Sequence, residues 1–513
     1  MPSPRHIAAA LVATATTASA LYVNGTVVAP CDSPIYCHGD ILEQVELARP
    51  FSDSKTFVDM PAIRPLSDIQ EAFDKLEKPL RNNSALADFL DENFDDAGNE
   101  LEEVSRDDLD TDPKFLDNIN DTVIREFTEK VIDIWPDLTR RYDQDAKNCS
   151  DCPNSFIPVN RSFVVAGGRF REPYYWDSYW IILGLLRTGG SFIEIAKNTI
   201  ENFLDFIEEY GFVPNGARIY YLNRSQPPLL SQMIKAYVEY TNDTDILERA
   251  LPLLVQEHEF FMNNRSVPVY INNETYYLNT YNVSNTRPRP ESYREDYITA
   301  ENTSYYSPES GKVYKGGEEL SSKQKEALYG NLASGAESGL DYTVKWIARP
   351  EDAIRDNYFP LRYLNTRNII PVDLNSILYG NEIAIAEFYE QTGNNSASEQ
   401  WRELQSTSDE EEGIMFEKYA DNATNVAGGG GEYEVVEGFG WTNGVLIWAV
   451  DEFKNRLTRP KCDNLESAHS NDKRDSSAVM LHARDAKRVK KFGRRKRAAE
   501  KAAKKRSSRV FHF

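Results

Sequence analysis

From Trp176 onward, apolar residues recur at helical spacing, and this restricts the chain to a helix-rich fold more than any other feature of the sequence. The periodic stretches are Trp176–Arg187, Phe192–Tyr210, Pro228–Thr241 and Thr244–Asn263, with later ones at Asn375–Gln391 and Asn443–Arg456. Gly189-Gly190, Gly211 and Pro227-Pro228 punctuate them, as helix stops should. No run of strand-like segments with hairpin turns competes. Repeated helix pairs predict a toroid or solenoid of helical hairpins. Loops at one end of such a ring would converge on a central pocket. Ahead of this body, residues 56–145 mix Pro and acidic residues with short amphipathic stretches, and 21 to about 55 read as an irregular lead-in.

The two ends differ from the body. Arg5, a weakly apolar run from Ile7 to Ala20 and the small-x-small triplet Ala18-Ser19-Ala20 predict a signal peptide over 1–20. The run is too short and too rich in Thr to span a membrane, and no later apolar run reaches spanning length. Sequons at Asn24, Asn120, Asn148, Asn160, Asn264 and Asn422, among others, suit a secreted glycoprotein. Cys31 and Cys37 lie close together, as do Cys149 and Cys152, and in an oxidising compartment disulfides are the default; Cys462 is left over. The net charge is −23, but Glu466–Phe513 holds 16 Lys and Arg against 5 Asp and Glu, so the rest carries −34. Nucleic acid is therefore excluded as a partner of the acidic body. Residues 461–513 read as a basic, disordered tail.

The chemistry on offer is narrow. Of six histidines, only His258 falls in the helical body, within an amphipathic stretch, where it reads as a structural residue. That disfavours Ser-His-Asp hydrolysis and His-rich metal catalysis. A lone Cys149-x-x-Cys152 has no second pair to complete a zinc site, so no metal and no cofactor is expected. Gly428–Gly431 is followed by Glu432 rather than Gly-Lys-Ser/Thr, so there is no phosphate loop. What remains is carboxylates, Arg, Asn and Gln beside abundant aromatics (12% of residues), a composition that suits a sugar site and glycoside hydrolysis.

Specific segments go further. Asp53–Met60, Gly167-Gly168-Arg169-Phe170-Arg171-Glu172-Pro173-Tyr174-Tyr175-Trp176-Asp177 and its continuation to Trp180, Pro214-Asn215-Gly216, and Asn223-Arg224-Ser225-Gln226-Pro227-Pro228 run in order along the chain. They are followed by Arg287-Pro288-Arg289-Pro290-Glu291-Ser292, Glu337-Ser338-Gly339-Leu340-Asp341, Ile370–Ser376, and Gly428–Tyr433 through Glu437–Gly444. Together, over about residues 50–450, they resemble the animal-type trehalases of glycoside hydrolase family 37. The resemblance implies an all-α, six-hairpin (α/α)6 barrel over residues 21–460 and an inverting hydrolysis of α,α-trehalose to two glucose molecules. Asp341 matches the family's general acid, and Glu417, in Phe416-Glu417-Lys418-Tyr419, its general base. Arg169, Arg224 and Arg289 match its sugar-binding arginines. Asn215, Gln226 and Glu291 would take further hydroxyls, Trp176, Asp177 and Gly339 would wall the pocket, and Glu432 would contact sugar beside the glycine run.

The sequence also departs from the family. Its second signature, Gln-Trp-Asp-x-Pro-Asn, is absent: Gln400-Trp401-Arg402-Glu403 runs through the acidic stretch Ser406–Glu412 into Gly413, which places a missing segment near 405–413. A ring that loses hairpins is incomplete and leaves apolar flanks bare. Ala166 stands where Pro is usual, Leu340 where Trp precedes the acid, and Lys345 where Arg is usual. Three readings stay open: an active trehalase, a catalytically impaired sugar-binding relative, and a defective isoform. A different (α/α)6 glycosidase acting on α-glucans would leave the motifs unexplained.

Overall fold

A computed structural model of the protein describes residues 21–143, 149, 151–271, 274–307, 312–315, 318–348, 360–405 and 439–453. The chain divides at Asn455, and every described residue lies in the first unit. The expected signal peptide over 1–20, Cys462 and the expected tail over 461–513 lie outside the described residues.

The segment expected to be an irregular lead-in is instead an integral arm. Strands β1 (Tyr22–Asn24) and β2 (Val27–Ala29) form a hairpin, and the Cys31–Cys37 disulfide closes the next turn. Helices α1 (Asp40–Ala48) and α2 (Lys55–Val58) follow, then α3 (Leu66–Asp74) and α4 (Ser84–Asn93). Ile35, Tyr36, Ile41, Leu42 and Val45 are buried in the main core, and the Tyr36 hydroxyl donates to the Met60 carbonyl at 2.7 Å. Local pattern does not reveal this, because the surface these residues cover comes from distant helices. Strands β3 (Leu101–Glu103), β4 (Thr139–Tyr142) and β5 (Phe163–Val164) make a small antiparallel sheet around α5 (Thr122–Ile132) and α6 (Trp135–Leu138). The second disulfide, Cys149–Cys152, lies in the connection that follows β4.

The body is all-α, as the periodicity predicts. Its helices are α7 (Asp177–Thr188), α8 (Ser191–Tyr210), α9 (Leu230–Thr241) and α10 (Ile246–Asn264), then α11 (Tyr293–Glu301) and α12 (Ser322–Glu337). They are followed by α13 (Val372–Gln391), α14 (Asn395–Gln405) and α15 (Gly440–Glu452). Gly211 ends α8 in the left-handed region, with its N–H on the Ile207 carbonyl. α15 lies along α7 at a glycine crossing: a Cβ on Gly444 would sit 2.0 Å from the Trp180 carbonyl oxygen, and one on Gly184 2.6 Å from the Gly444 Cα. The largest core joins the arm to α7–α10 and α15, and a second gathers Phe261, Tyr281, Leu332, Trp346 and Leu374 around α12 and α13.

One feature of the body departs from the sequence expectation. Hairpins are present after all, β6–β7 (Ser266–Ile271 with Glu274–Asn279) and β8–β9 (Ser304–Ser307 with Lys312–Lys315). Both are two-stranded excursions between helices, so they do not alter the fold class. A cleft of about 580 Å³ opens between α7, α9 and α15, lined by Trp180, Leu183, Tyr240 and Trp448 among others. A second, of about 610 Å³, opens between α7, α9 and α13, lined by Trp176, Tyr179, Leu229 and Ile377 among others. His258 lies away from both, with Nε2 3.0 Å from Glu382 Oε1 and its ring edge-on to Trp401.

One buried acid gives the fold a pH dependence. Glu257 of α10 accepts from the Tyr175 hydroxyl at 2.6 Å, and burial pushes its carboxyl from 4.5 up to about 7, with the Tyr175 bond opposing. A raised carboxyl contributes stability that is complete below 4.5 and lost as pH rises through about 7, a loss on the order of 3 kcal/mol. Urea midpoints of the wild type minus those of Glu257→Gln should therefore fall across that window and level off above it. A difference that stays flat with pH would show that Glu257 ionises in place without cost.

Candidate active site

The loops that link the helices meet in one cleft. It is lined by the segment before α7 (Arg169, Phe170, Tyr174, Trp176, Asp177), the α8–α9 connection (Asn215, Tyr221, Arg224, Gln226) and the segment before α11 (Arg289, Glu291, Ser292). The end of α12 adds Ala336, Gly339 and Asp341, the start of α15 adds Phe439 and Trp441, and α2 adds Lys55. Ten of the twelve site residues expected from sequence thus line a single cavity: Arg169, Trp176, Asp177, Asn215, Arg224, Gln226, Arg289, Glu291, Gly339 and Asp341. The other two, Glu417 and Glu432, lie outside the described residues, as does the run Gly428–Gly431.

Three arginines gather on Glu291. The Arg224 guanidinium is ion-paired to the Glu291 carboxylate, and Arg289 Nη1 stands 3.7 Å from the same oxygen. Arg169 Nη2 donates to the Glu291 backbone carbonyl at 3.2 Å and pairs with Asp53 at 3.1 Å. Arg289 is itself fixed by Asp296, with Nε and Nη2 on the two carboxylate oxygens at 2.9 and 2.7 Å. The Arg224 ion pair leaves Nε and Nη1 of that residue, and Oε2 of Glu291, buried without a hydrogen-bond partner among the described residues. Such orphaned polar atoms are costly and uncommon, and here they sit where sugar hydroxyls could satisfy them.

The amides are partly committed. Asn215 Nδ2 donates to the Ser225 carbonyl at 3.0 Å and the Ala336 carbonyl at 3.5 Å, and Gln226 Oε1 accepts from the Trp176 N–H at 3.0 Å. Asn215 Oδ1 and Gln226 Nε2 are the atoms left for a ligand. Trp176 is buried edge-on to both Trp180 and Trp441, which stack on each other at 4.6 Å. Gly339, at φ 68°, lies against the indole, and Asp341 also has a left-handed φ of 51°. A Cβ on Gly339 would stand 2.4 Å from Trp176 Cε2. Gly339→Ala should thus lower the melting temperature and red-shift tryptophan emission, at a cost of roughly 2 kcal/mol from clash and strain. Unchanged emission and melting would mean that the turn can tip away from the ring.

Beyond Trp176, the aromatic wall is not predicted by the sequence reasoning. Phe170 meets Tyr174 at 5.2 Å and Phe439 at 5.9 Å, and the Tyr174 and Tyr221 hydroxyls share a 2.7 Å hydrogen bond. Burial pushes both phenols well above their usual range. Four of the five wall residues, Phe170, Tyr174, Phe439 and Trp441, lie inside the recognised motifs, which is the signal that could have found them; nothing local marks Tyr221. Beneath the cleft, Lys55 holds Asp59 at 2.6 Å and Glu172 at 2.8 Å, and the fully buried Arg218 holds Glu100 at 2.7 Å.

Comparison with known proteins agrees with this arrangement. The family model described as Trehalase matches residues 49–411 and 404–454, two stretches that meet where the sequence places a missing segment. A trehalase of Dictyostelium discoideum is 44% identical over 386 residues, covering 73% of this chain and 60% of the relative. A trehalase of Tenebrio molitor is 40% identical over 379 residues (73% and 64%), and one of Homo sapiens 36% over 380 (74% and 61%). The chain therefore spans about 60% of the length of these relatives. With the motifs in order along one chain, their side chains in one cleft, and the family match running over residues 49–454, the chain belongs to the trehalase family.

Proposed function

We propose that the cleft binds α,α-trehalose and hydrolyses it to two glucose molecules with inversion. In this reading Asp341 protonates the glycosidic oxygen as that bond breaks. Glu417 takes a proton from a water that attacks the anomeric carbon from the opposite face, so one glucose leaves with inverted configuration. Arg169, Arg224, Arg289 and Glu291 hold hydroxyls, and the Trp176 indole walls the ring. The observation that carries the reading is the buried Arg224–Glu291 pair, whose orphaned atoms find no hydrogen-bond partner among the described residues. The finer placement follows the same reading: a signal peptide over 1–20, a catalytic region over 21–460 built as an incomplete (α/α)6 ring, a basic tail over 461–513, and a secreted glycoprotein.

A second reading takes the absent second signature and the two clefts beside Trp176 and Trp180 as its support. There the cleft holds trehalose without cleaving it. Glucose release by the purified chain, with the anomer of fresh product read by NMR, separates the two. Release of one glucose in inverted form supports hydrolysis as stated, and retained configuration on both sinks the inverting mechanism. Calorimetric binding of trehalose without release supports the second reading.

A further inference from the structure

Asp341 stands at the end of a turn in which Gly339 and Asp341 are both left-handed; for Gly339 that conformation is free, whereas at Asp341, which carries a Cβ, the surroundings help to hold it. Its immediate neighbours impose part of it. Ser338 is buried, its hydroxyl donates to the Gly335 carbonyl at 2.6 Å, and the same hydroxyl accepts from the Leu340 N–H at 3.2 Å. The remaining anchor comes from outside the turn. Glu337, the last residue of α12, is fully buried and does not line the cleft. Arg265, just past the end of α10, grips it with two parallel bonds, Nε to Oε2 at 2.9 Å and Nη2 to Oε1 at 2.8 Å. The same Oε1 accepts from the Ser225 N–H at 3.0 Å, and Arg265 Nη2 reaches the Asn223 carbonyl at 3.4 Å. Arg224 lies between those two residues. Asn215 adds a second tie, from the Ser225 carbonyl to Ala336.

We propose that the buried Glu337–Arg265 pair is a positioning device that fixes the turn carrying Asp341 and the segment carrying Arg224 in one mutual geometry. Neither residue touches substrate. Forked carboxylate–guanidinium pairs are directional, so a shift at one side is passed to the other. The inference rests on the reading of Asp341 as the acid only for its catalytic consequence; the mechanical coupling stands apart from it.

The test uses the full chain with Glu337→Gln, Glu337→Asp and Arg265→Met. Gln keeps the arm's length and loses its charge; Asp keeps the charge and shortens the arm by one methylene. Positioning expects kcat per folded molecule to fall on the order of 10²-fold in Glu337→Asp, the cost of roughly 1 Å of misplacement, with a smaller fall in Glu337→Gln and little change in KM. A merely structural role lowers the melting temperature and leaves kcat of the folded fraction at the wild-type value, which overturns the proposal. Amide hydrogen exchange gives a readout that needs no activity. Residues 338–341 and 223–226 should loosen together in Arg265→Met while the first turns of α12 keep their protection. Loosening confined to one of the two segments overturns the coupling. If the wild type releases no glucose, the hydrolytic reading falls, and the exchange result alone decides this one.

Discussion

Asp341→Asn is expected to lower glucose release from trehalose by roughly 10²–10⁴-fold, the contribution usual for a positioned general acid. Asn has the same shape and cannot supply a proton to the departing oxygen. Trehalose affinity should change little, because Arg169, Arg224, Arg289 and Glu291 are untouched. Asp341 is only part-buried, so melting should stay within about 0.5 kcal/mol of the wild type. Initial rates under saturating trehalose, alongside a calorimetric titration, separate loss of chemistry from loss of binding. Residual activity within tenfold of the wild type would remove Asp341 from the role of acid.

The second large effect is on stability. Arg218→Met should destabilise the protein by on the order of 3–5 kcal/mol, because it breaks a buried ion network by removing one partner. Arg218 is fully buried, 2.7 Å from Glu100, 3.5 Å from Glu172 and 3.6 Å from Asp59. Burial pushes the Asp59 carboxyl up, but Arg218 and Lys55 outweigh it and hold the group below its usual range. Burial raises Glu100 despite Arg218. Without the guanidinium both carboxyls rise, Glu100 from an already raised position, and ionising them costs more as pH increases. The gap between wild type and variant in urea midpoint should therefore widen from pH 5 to pH 8, and high salt should not close it, since these charges are shielded from solvent. A variant as stable as the wild type at pH 8 would show that water reaches the stranded carboxylates. The network also ties α2 and the arm to Glu172, which precedes Trp176 in the site segment, so trehalose binding should weaken with stability.

Much of the helical body was legible. α7 to α10 fall within a few residues of the periodic stretches because each buries one face, and glycine or a left-handed residue stops α7, α8 and α9. Disulfide use was legible from the two close cysteine pairs, whereas the pairing was left open, and only the structure joined Cys31 to Cys37 and Cys149 to Cys152. The arm was not. Its apolar residues are too few and too irregular to show a period, and their burial depends on helices more than a hundred residues away. The hairpins were missed because β6–β7 is short and its exposed face carries Tyr270 and Tyr277, which a pattern search does not read as an alternating strand.

The candidate site divides along the same line. By itself the sequence determined that the chain is helical and of the trehalase type, that carboxylates rather than histidines are available for the chemistry, and which ten described residues share a cleft, because each belongs to a motif whose residue types are unusual together. Only the tertiary structure decided how those groups are paired. That Glu291 collects three arginines, that Asp296 fixes Arg289, that Glu337 and Arg265 bond to each other and to the residues flanking Arg224, and that Phe439 and Trp441 close the wall all follow from where distant loops meet. The reason is physical. Periodicity and motifs report each segment's own backbone and buried face, whereas the partner of a buried charge is chosen by packing, among acids and bases that the sequence offers in abundance.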